Sequence, residues 1–153
     1  MSVLEINNIK KKFGNNEVLR GISFSLEEGE VLSVIGSSGS GKTTLLRCLN
    51  FLERADEGTI AVDGNVIFDA SQKGRVSERE IRKMRLNFGL VFQDFNLFPQ
   101  YSFMDKLLLA PKLLAKEDPE FKHNKKEIFA QIEEKAASLL AKVGLSDKKD
   151  AYP

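Results

Sequence analysis

One cysteine and one histidine stand in 153 residues, and each scarcity removes a class of function. Cys48 has no partner for a disulfide framework, so nothing asks for an oxidising, extracellular setting. It reads as a small core residue. His123 lies in a lysine-rich stretch and reads as a surface side chain, and no metal-site spacing occurs anywhere in the chain. The formal net charge is +1, so no global basic field argues for nucleic acid as a partner. The run Lys10-Lys11-Lys12 is short and reads as a solvated strand end. No stretch approaches the roughly 18 apolar residues of a membrane span. Met1–Glu5 lacks the basic and apolar regions of a signal peptide. The expectation is a cytoplasmic protein unless partners carry it to a membrane.

What is present is ordinary for a globular chain: 42% apolar and 29% charged residues, enough length for one domain with a core. The first third reads as β. Leu4–Ile9 and Val18-Leu19 are apolar runs separated by the turn cluster Gly14-Asn15-Asn16. Ile22–Leu26 alternates as a half-buried strand should. Val31–Ile35 reads as a short buried strand, and Thr44–Leu52 as a helix. Thr59–Val62 and Val66–Phe68 flank Asp63-Gly64, a hairpin signal. Ala70–Val76 reads as a surface loop. Ser77 and Glu80 form a capping box that opens a helix to about Arg85, and Asn87–Phe92 reads as a second buried strand ending at Gln93. The remainder is helical. Ser102 and Asp105 make another capping box, and Pro111 predicts a kink or an end. Asp118-Pro119 predicts a helix start. From about Asn124, the residues Ile128, Phe129, Ile132, Ala136, Leu139, Leu140 and Val143 mark one face of an amphipathic helix closed by Gly144. No internal repeat or low-complexity segment occurs.

The most informative stretch is Gly36-Ser37-Ser38-Gly39-Ser40-Gly41-Lys42-Thr43, which fits the phosphate-binding pattern G-x-x-x-x-G-K-[ST]. Glycines let the backbone turn tightly and approach phosphates, and successive N–H groups then share one concavity. Lys42 brings a positive charge to the β- and γ-phosphates, and Thr43 a hydroxyl to the bridging Mg²⁺. The helix that follows turns its positive end toward the same place. Strand, glycine loop and helix is the context in which the pattern has this meaning.

With these residues in view the chain resembles the ATP-binding subunit of ABC transporters, in particular the group importing polar amino acids. Four stretches carry the resemblance over essentially the whole chain: Gly36–Thr44, Leu46-Arg47-Cys48-Leu49-Asn50, Gly89-Leu90-Val91-Phe92-Gln93, and Phe95-Asn96-Leu97-Phe98-Pro99. The fold it implies is α/β, a P-loop NTPase of the ABC ATPase type with an antiparallel β subdomain, the start of a helical subdomain and a truncated parallel core sheet. Residues 1–153 would be the N-terminal part of one ATPase domain. Within it, 1–70 carry the β unit with the P-loop strand and helix, 71–98 a helix, strand and Q-loop, and 99–153 an incomplete helical subdomain. The ligands it implies are ATP and Mg²⁺. Phe13 would stack on adenine, and Gly36, Ser37, Ser38, Gly39, Ser40, Gly41, Lys42, Thr43 and Thr44 would surround the phosphates. Gln93 would sense the γ-phosphate and, with Thr43, the metal. Phe95–Phe103 would dock on integral membrane permease subunits, placing the protein peripherally on the inner face of the membrane, and a like ATPase subunit would complete a dimer.

The resemblance also implies elements that do not occur in the sequence: the Leu-Ser-Gly-Gly-Gln signature, a Walker B strand with its catalytic glutamate, and a switch histidine. No catalytic residue is therefore assigned to this chain. In the family two later strands separate the Walker A strand from the Q-loop strand. Without them, Val31–Ile35 and Phe88–Phe92 are expected to lose partners, leaving a marginal or aggregation-prone chain or one in which the two strands approach each other. Three readings remain at this level. One is the ATP-binding part of an amino-acid importer. Another is a non-hydrolytic nucleotide-binding or transporter-docking fragment, or a decayed gene product. The third is a P-loop protein of another sort, such as a kinase or GTPase.

Overall fold

The computed structural model describes residues 2–72, 74, 76–93, 97–117, 119 and 121–153, with the backbone alone at 122. The chain forms two compact units, Met1–Val91 and Phe92–Pro153. The expected helix start at Asp118, and residues Phe95 and Asn96 of the expected docking stretch, lie outside the described residues.

The first unit is built on a four-stranded sheet in the order β2-β1-β3-β4, from β1 (Ser2–Phe13), β2 (Asn16–Glu27), β3 (Glu57–Val62) and β4 (Asn65–Asp69). Every pairing is antiparallel. Gly14-Asn15 turns β1 into β2, and Asp63-Gly64, both with positive φ, turns β3 into β4 as the sequence predicts. The Ile22–Leu26 alternation also holds, with Ile22, Phe24 and Leu26 more covered than Ser23 and Ser25.

One feature of β1 is invisible in its pattern. Ile6 pairs with Phe24 and Ile9 with Ile22, so two residues of β1 lie opposite one residue of β2. This is a β-bulge at Asn7-Asn8. Asn8 takes φ 51°, and its N–H donates to Ser23 Oγ at 2.8 Å. The extra residue lets Ile6 and Ile9, three apart, both enter the core, and Lys11, two further on, shares that side. Gly58 on β3 closes over the bulge. A Cβ there would lie 2.5 Å from Asn7 O and 2.6 Å from Asn8 O, at φ 101°.

Helix α1 (Lys42–Leu49) covers this face with Leu45, Cys48 and Leu49, spaced to form one stripe. They pack with Ile6, Ile9, Leu19, Ala55, Ile60 and Phe68 into the unit's core. Burial pushes the Cys48 thiol up to about 11, against the lowering effect of the Lys11 charge, so it serves as the neutral core group expected of it. Helix α2 (Glu78–Arg85) starts at the Ser77/Glu80 capping box. It is tied to the exit of α1 by Arg85, which donates to Phe51 O at 2.9 Å. Phe51 in turn meets the rings of Phe68 and Phe88 at 5.8 and 6.0 Å.

Three expectations need correction. Val31–Ile35 is not a strand: it joins no ladder, and Val31 and Ile35 are each 92% exposed. Asn87–Phe92 forms no strand either, with Val91 90% exposed, and the two segments do not pair with each other. An apolar run reports the capacity to be buried in a sheet, and realises it only where neighbouring strands supply hydrogen-bonding edges. The described residues contain only the antiparallel sheet, whose register is already closed around β1. The third correction concerns Lys11, which is not solvated: it is only 8% exposed, because the bulge turns it toward the core.

The second unit pairs helix α3 (Phe103–Ala115) with α4 (Phe121–Lys142) around Leu108, Ala136 and Leu140. The Ser102/Asp105 capping box is present in both directions. Two further first-turn donors of α3, the N–H groups of Phe103 and Met104, reach Ala151 O and Lys149 O at 3.0 and 2.9 Å. Helix α3 runs through Pro111 to Ala115, so the proline does not end it. Its neighbour supplies tertiary support: Lys112 pairs with Glu133 at 2.7 Å and lies 5.1 Å from the Phe129 ring centre. Of the amphipathic stripe, Ala136 and Leu140 are buried whereas Leu139 and Val143 are exposed. Asn124 interrupts helical geometry near the start, and Gly144 lies just past the end.

Two predictions follow from these contacts. Gly58→Ala should cost more than about 2 kcal/mol in urea unfolding, because a methyl group meets backbone that cannot yield. Gly64→Ala, where nothing lies within 4 Å, should cost about 1 kcal/mol, the price of positive φ alone. Ser102→Ala should cost about 1 kcal/mol near neutral pH. The Ser102 hydroxyl and backbone N–H hold the Asp105 carboxyl below its ordinary 3.8. A lowered folded pKa stabilises the fold above 3.8, and that contribution is lost as pH falls through the lowered value. The deficit of Ser102→Ala against the parent chain should therefore shrink in acid.

Candidate functional site

The candidate site lies in the first unit, where the loop after β2 enters α1. Gly41 is the residue before the helix and takes φ 94°. A Cβ on it would meet Val18 Cγ1 and Val18 O at 3.1 Å and Leu19 Cδ2 at 3.2 Å. Only glycine lets the loop lie this close to β2. Val18, partly buried against the core, lies where β2 carries one extra residue opposite the step from Lys11 to Lys12. The Gly41 carbonyl accepts the first helical hydrogen bond, from Leu45 N–H at 2.8 Å. The N–H groups of Lys42, Thr43 and Thr44 come before that bond and have no acceptor within the helix.

This helix start differs from the others that are fully described. Helices α2 and α3 begin with serine caps and an acidic residue in the first turn. Helix α1 has no side-chain cap and no first-turn acid. Its partial positive charge is thus left uncompensated by the protein, the arrangement in which an anion is stabilised. Lys42 adds a full charge. Its Nζ donates to Gly36 O and Ser37 O, both at 2.7 Å, and lies 3.5 Å from Ser40 Oγ. These partners are neutral oxygens, so the loop is folded around the ammonium without cancelling its charge. Ser40 N–H donates to Ser37 O at 3.3 Å and tightens the same turn. Gly36 backs it: a Cβ there would stand 2.6 Å from Ser40 Oγ.

The loop and helix start form one wall of a cleft of about 330 Å³. Ser38, Gly39, Ser40, Gly41, Lys42, Thr43 and Thr44 line it together with Val18 and Phe13. Phe13, the last residue of β1, is 48% exposed and so offers ring surface to the cleft. Gly36 and Ser37 do not line the cleft themselves but accept from Lys42 behind it. Gln93 is an exposed turn residue of the second unit. The lining has the chemistry of a polyphosphate site: unsatisfied N–H donors, one ammonium, hydroxyls, and an aromatic ring at one end. The Thr43 hydroxyl is a hard oxygen donor, the type Mg²⁺ prefers. Among the described residues no group of three or more His, Cys, Asp or Glu side chains could hold a metal ion by itself. A cation here would be held mainly through phosphate oxygens, which is how Mg²⁺ is usually bound beside nucleotides.

Two contributors were not singled out as site residues in the sequence. Val18 belongs to an apolar run, but its place against Gly41 and the cleft lies at a register shift that no pattern announces. Lys11 stood in a lysine triplet that read as solvated. Its Nζ lies 5.1 Å from the centre of the Phe13 ring and pairs with Glu53 at 2.9 Å. The spacing Ile9, Lys11, Phe13 was the available signal, since alternate residues share a strand face.

Similarity to known proteins identifies the family. The profile of the ABC transporter family matches residues 19–153. A probable amino-acid ABC transporter ATP-binding protein of Haemophilus influenzae is 44% identical over 154 residues, covering 100% of this chain and 55% of that protein. The L-cystine transport system ATP-binding protein of Escherichia coli is 42% identical, covering 100% and 57%. The glutamine transport ATP-binding protein of Bacillus subtilis is 39% identical, covering 99% and 55%. The chain thus spans about half the length of the curated relatives it matches. Among solved structures, cbiO1 from Clostridium perfringens, part of the ABC transporter complex cbiONQ, superposes with a TM-score of 0.71 at 25% identity, over 99% of this chain and 54% of that one. With the family profile extending over most of its length and the phosphate loop in the expected place, the chain belongs to the ABC transporter family.

Proposed function

We propose that this chain binds MgATP at the cleft before α1 and contributes ATP binding to an importer of amino acids. The observation that carries the reading is the open start of α1, with its free N–H donors, Lys42 and Phe13 all facing one cleft. Lys42 would exchange its carbonyl partners for phosphate oxygens, and the N–H groups of Lys42, Thr43 and Thr44 would hold the remainder. The Thr43 hydroxyl would help hold the metal, which would supply charge neutralisation at the phosphates. Phe13 would carry the adenine on its ring, as aromatic side chains carry bases elsewhere.

Amino acids as the transported class are supported by the relatives, which serve L-cystine and glutamine transport. The identity of the transported amino acid lies outside the chemistry of this site. Permease subunits as partners, and a place on the inner face of the membrane, fit a subunit in which no described helix is long and apolar enough to cross a membrane. Leu97 and Phe98 of the proposed docking stretch are exposed, and Phe98 meets Tyr101 edge-on at 5.9 Å. A second ATP-binding subunit would face the cleft in the working assembly.

Binding and turnover separate at this site. Among the described residues its lining contains no carboxylate and no imidazole to orient an attacking water. Calorimetry should show MgATP binding that Lys42→Ala weakens at least about tenfold, consistent with loss of a charged hydrogen bond. Phosphate release by the same chain should stay at background. Multiple turnovers abolished by Lys42→Ala would overturn the separation, and unchanged affinity in Lys42→Ala would overturn the site.

A further inference from the structure

We propose that Lys11 is a positioning residue for the nucleotide base, holding the Phe13 ring in the attitude in which it receives the base. The inference rests on the reading of Phe13 as the base platform and adds the means by which that platform is held.

Phe13 ends β1 beside a turn, where a ring of this size would ordinarily sample several rotamers. Two devices act on it. The first is the backbone. Strand β3 pairs with β1 only as far as Lys10 opposite Glu57. Asp56 carries the pairing one step further: its N–H donates to Lys10 O at 2.9 Å, and its Oδ2 accepts from Lys12 N–H at 2.8 Å. The carboxylate thereby takes the place of a missing strand residue immediately before Phe13. The second device is the Lys11 ammonium. It donates to Arg54 O at 2.8 Å and pairs with Glu53 at 2.9 Å and Asp56 at 3.4 Å. From that fixed point it lies 5.1 Å from the Phe13 ring centre, within cation–π range. About half of Phe13 stays exposed, leaving ring area for a base.

A charge is an expensive way to fill this position if packing were its only purpose. Burial works against the Lys11 ammonium, and the Glu53 and Asp56 carboxylates more than offset it, so its pKa is raised overall and it stays charged. Glu53 and Asp56 belong to the connection that leaves α1, the helix whose start forms the phosphate site. The two ends of one nucleotide, base and phosphates, are therefore referred to the same helix: the phosphates to its first turn, the base to its exit through Lys11 and Phe13.

The test compares MgATP with magnesium tripolyphosphate, which has the phosphates but no base, by calorimetry on the full 153-residue chain. Phe13→Ala should weaken MgATP roughly tenfold and leave tripolyphosphate within about twofold. Lys11→Met, which keeps the aliphatic stem, should weaken MgATP roughly three- to tenfold with tripolyphosphate again unchanged. Lys11→Arg should restore the ratio of the two affinities. Glu53→Gln, which leaves Lys11 in place but loosens its anchor, should shift the ratio in the same direction, and it decides the matter if Lys11→Met does not fold. If Phe13→Ala weakens MgATP while Lys11→Met and Glu53→Gln keep the ratio, the role of Lys11 is wrong and the base platform stands. Equal weakening of both ligands by Lys11→Met would make it a structural residue only and overturn the inference. No effect of Phe13→Ala on MgATP would remove the platform itself, and Lys11 with it.

Discussion

An eight-residue helix is too short to persist alone in water, so α1 exists because of what it packs on. Leu45, Cys48 and Leu49 find a flat apolar surface only because the Asn7-Asn8 bulge sends both Ile6 and Ile9 to that side of β1. The bulge in turn requires Gly58 opposite it, where any side chain would strike backbone. From this chain of constraints follow the position of Gly41 against Val18 and the direction of the helix start. The uncapped start of α1 is thus held where it is by how one strand is kinked, and the loop before it is folded around the Lys42 ammonium.

The two units solve the same problem of helix ends in opposite ways. In the second unit the start of α3 is satisfied completely, by Ser102, Asp105 and the carbonyls of Lys149 and Ala151. Such an end has no donors to offer a ligand. In the first unit α1 lacks a cap and gains an ammonium instead. Leaving a helix end unsatisfied lowers stability by the absence of a cap and gives the protein a place where an anion is preferred to water.

How much of this the sequence showed depended on whether the signal was local. The two capping boxes, the Asp63-Gly64 hairpin and the alternation in β2 are each written in a few adjacent residues, and each appears where expected. The failures are non-local. Val31–Ile35 and Asn87–Phe92 carry the composition of buried strands, but composition does not state which neighbour they pair with. Lys11 looked solvated because a bulge four residues earlier shifts its side, and because its partners Glu53 and Asp56 lie more than forty residues away. At the candidate site, the loop residues Ser38 to Thr44 that line the cleft were legible from spacing alone. Phe13 needed the family resemblance, and the Lys11 contact needed coordinates.

If a nucleotide's phosphates bind at the uncapped start of α1, amide chemical shifts report that placement residue by residue. Titrating the ¹⁵N-labelled chain with MgATP should move the amide resonances of Gly39, Gly41, Lys42, Thr43 and Thr44 most, with those at Ser102 and Phe103, where the helix start is already capped, unmoved. Perturbations spread evenly over both units, or centred away from the Gly36–Thr44 loop, would contradict the claim that the open helix end is the binding element.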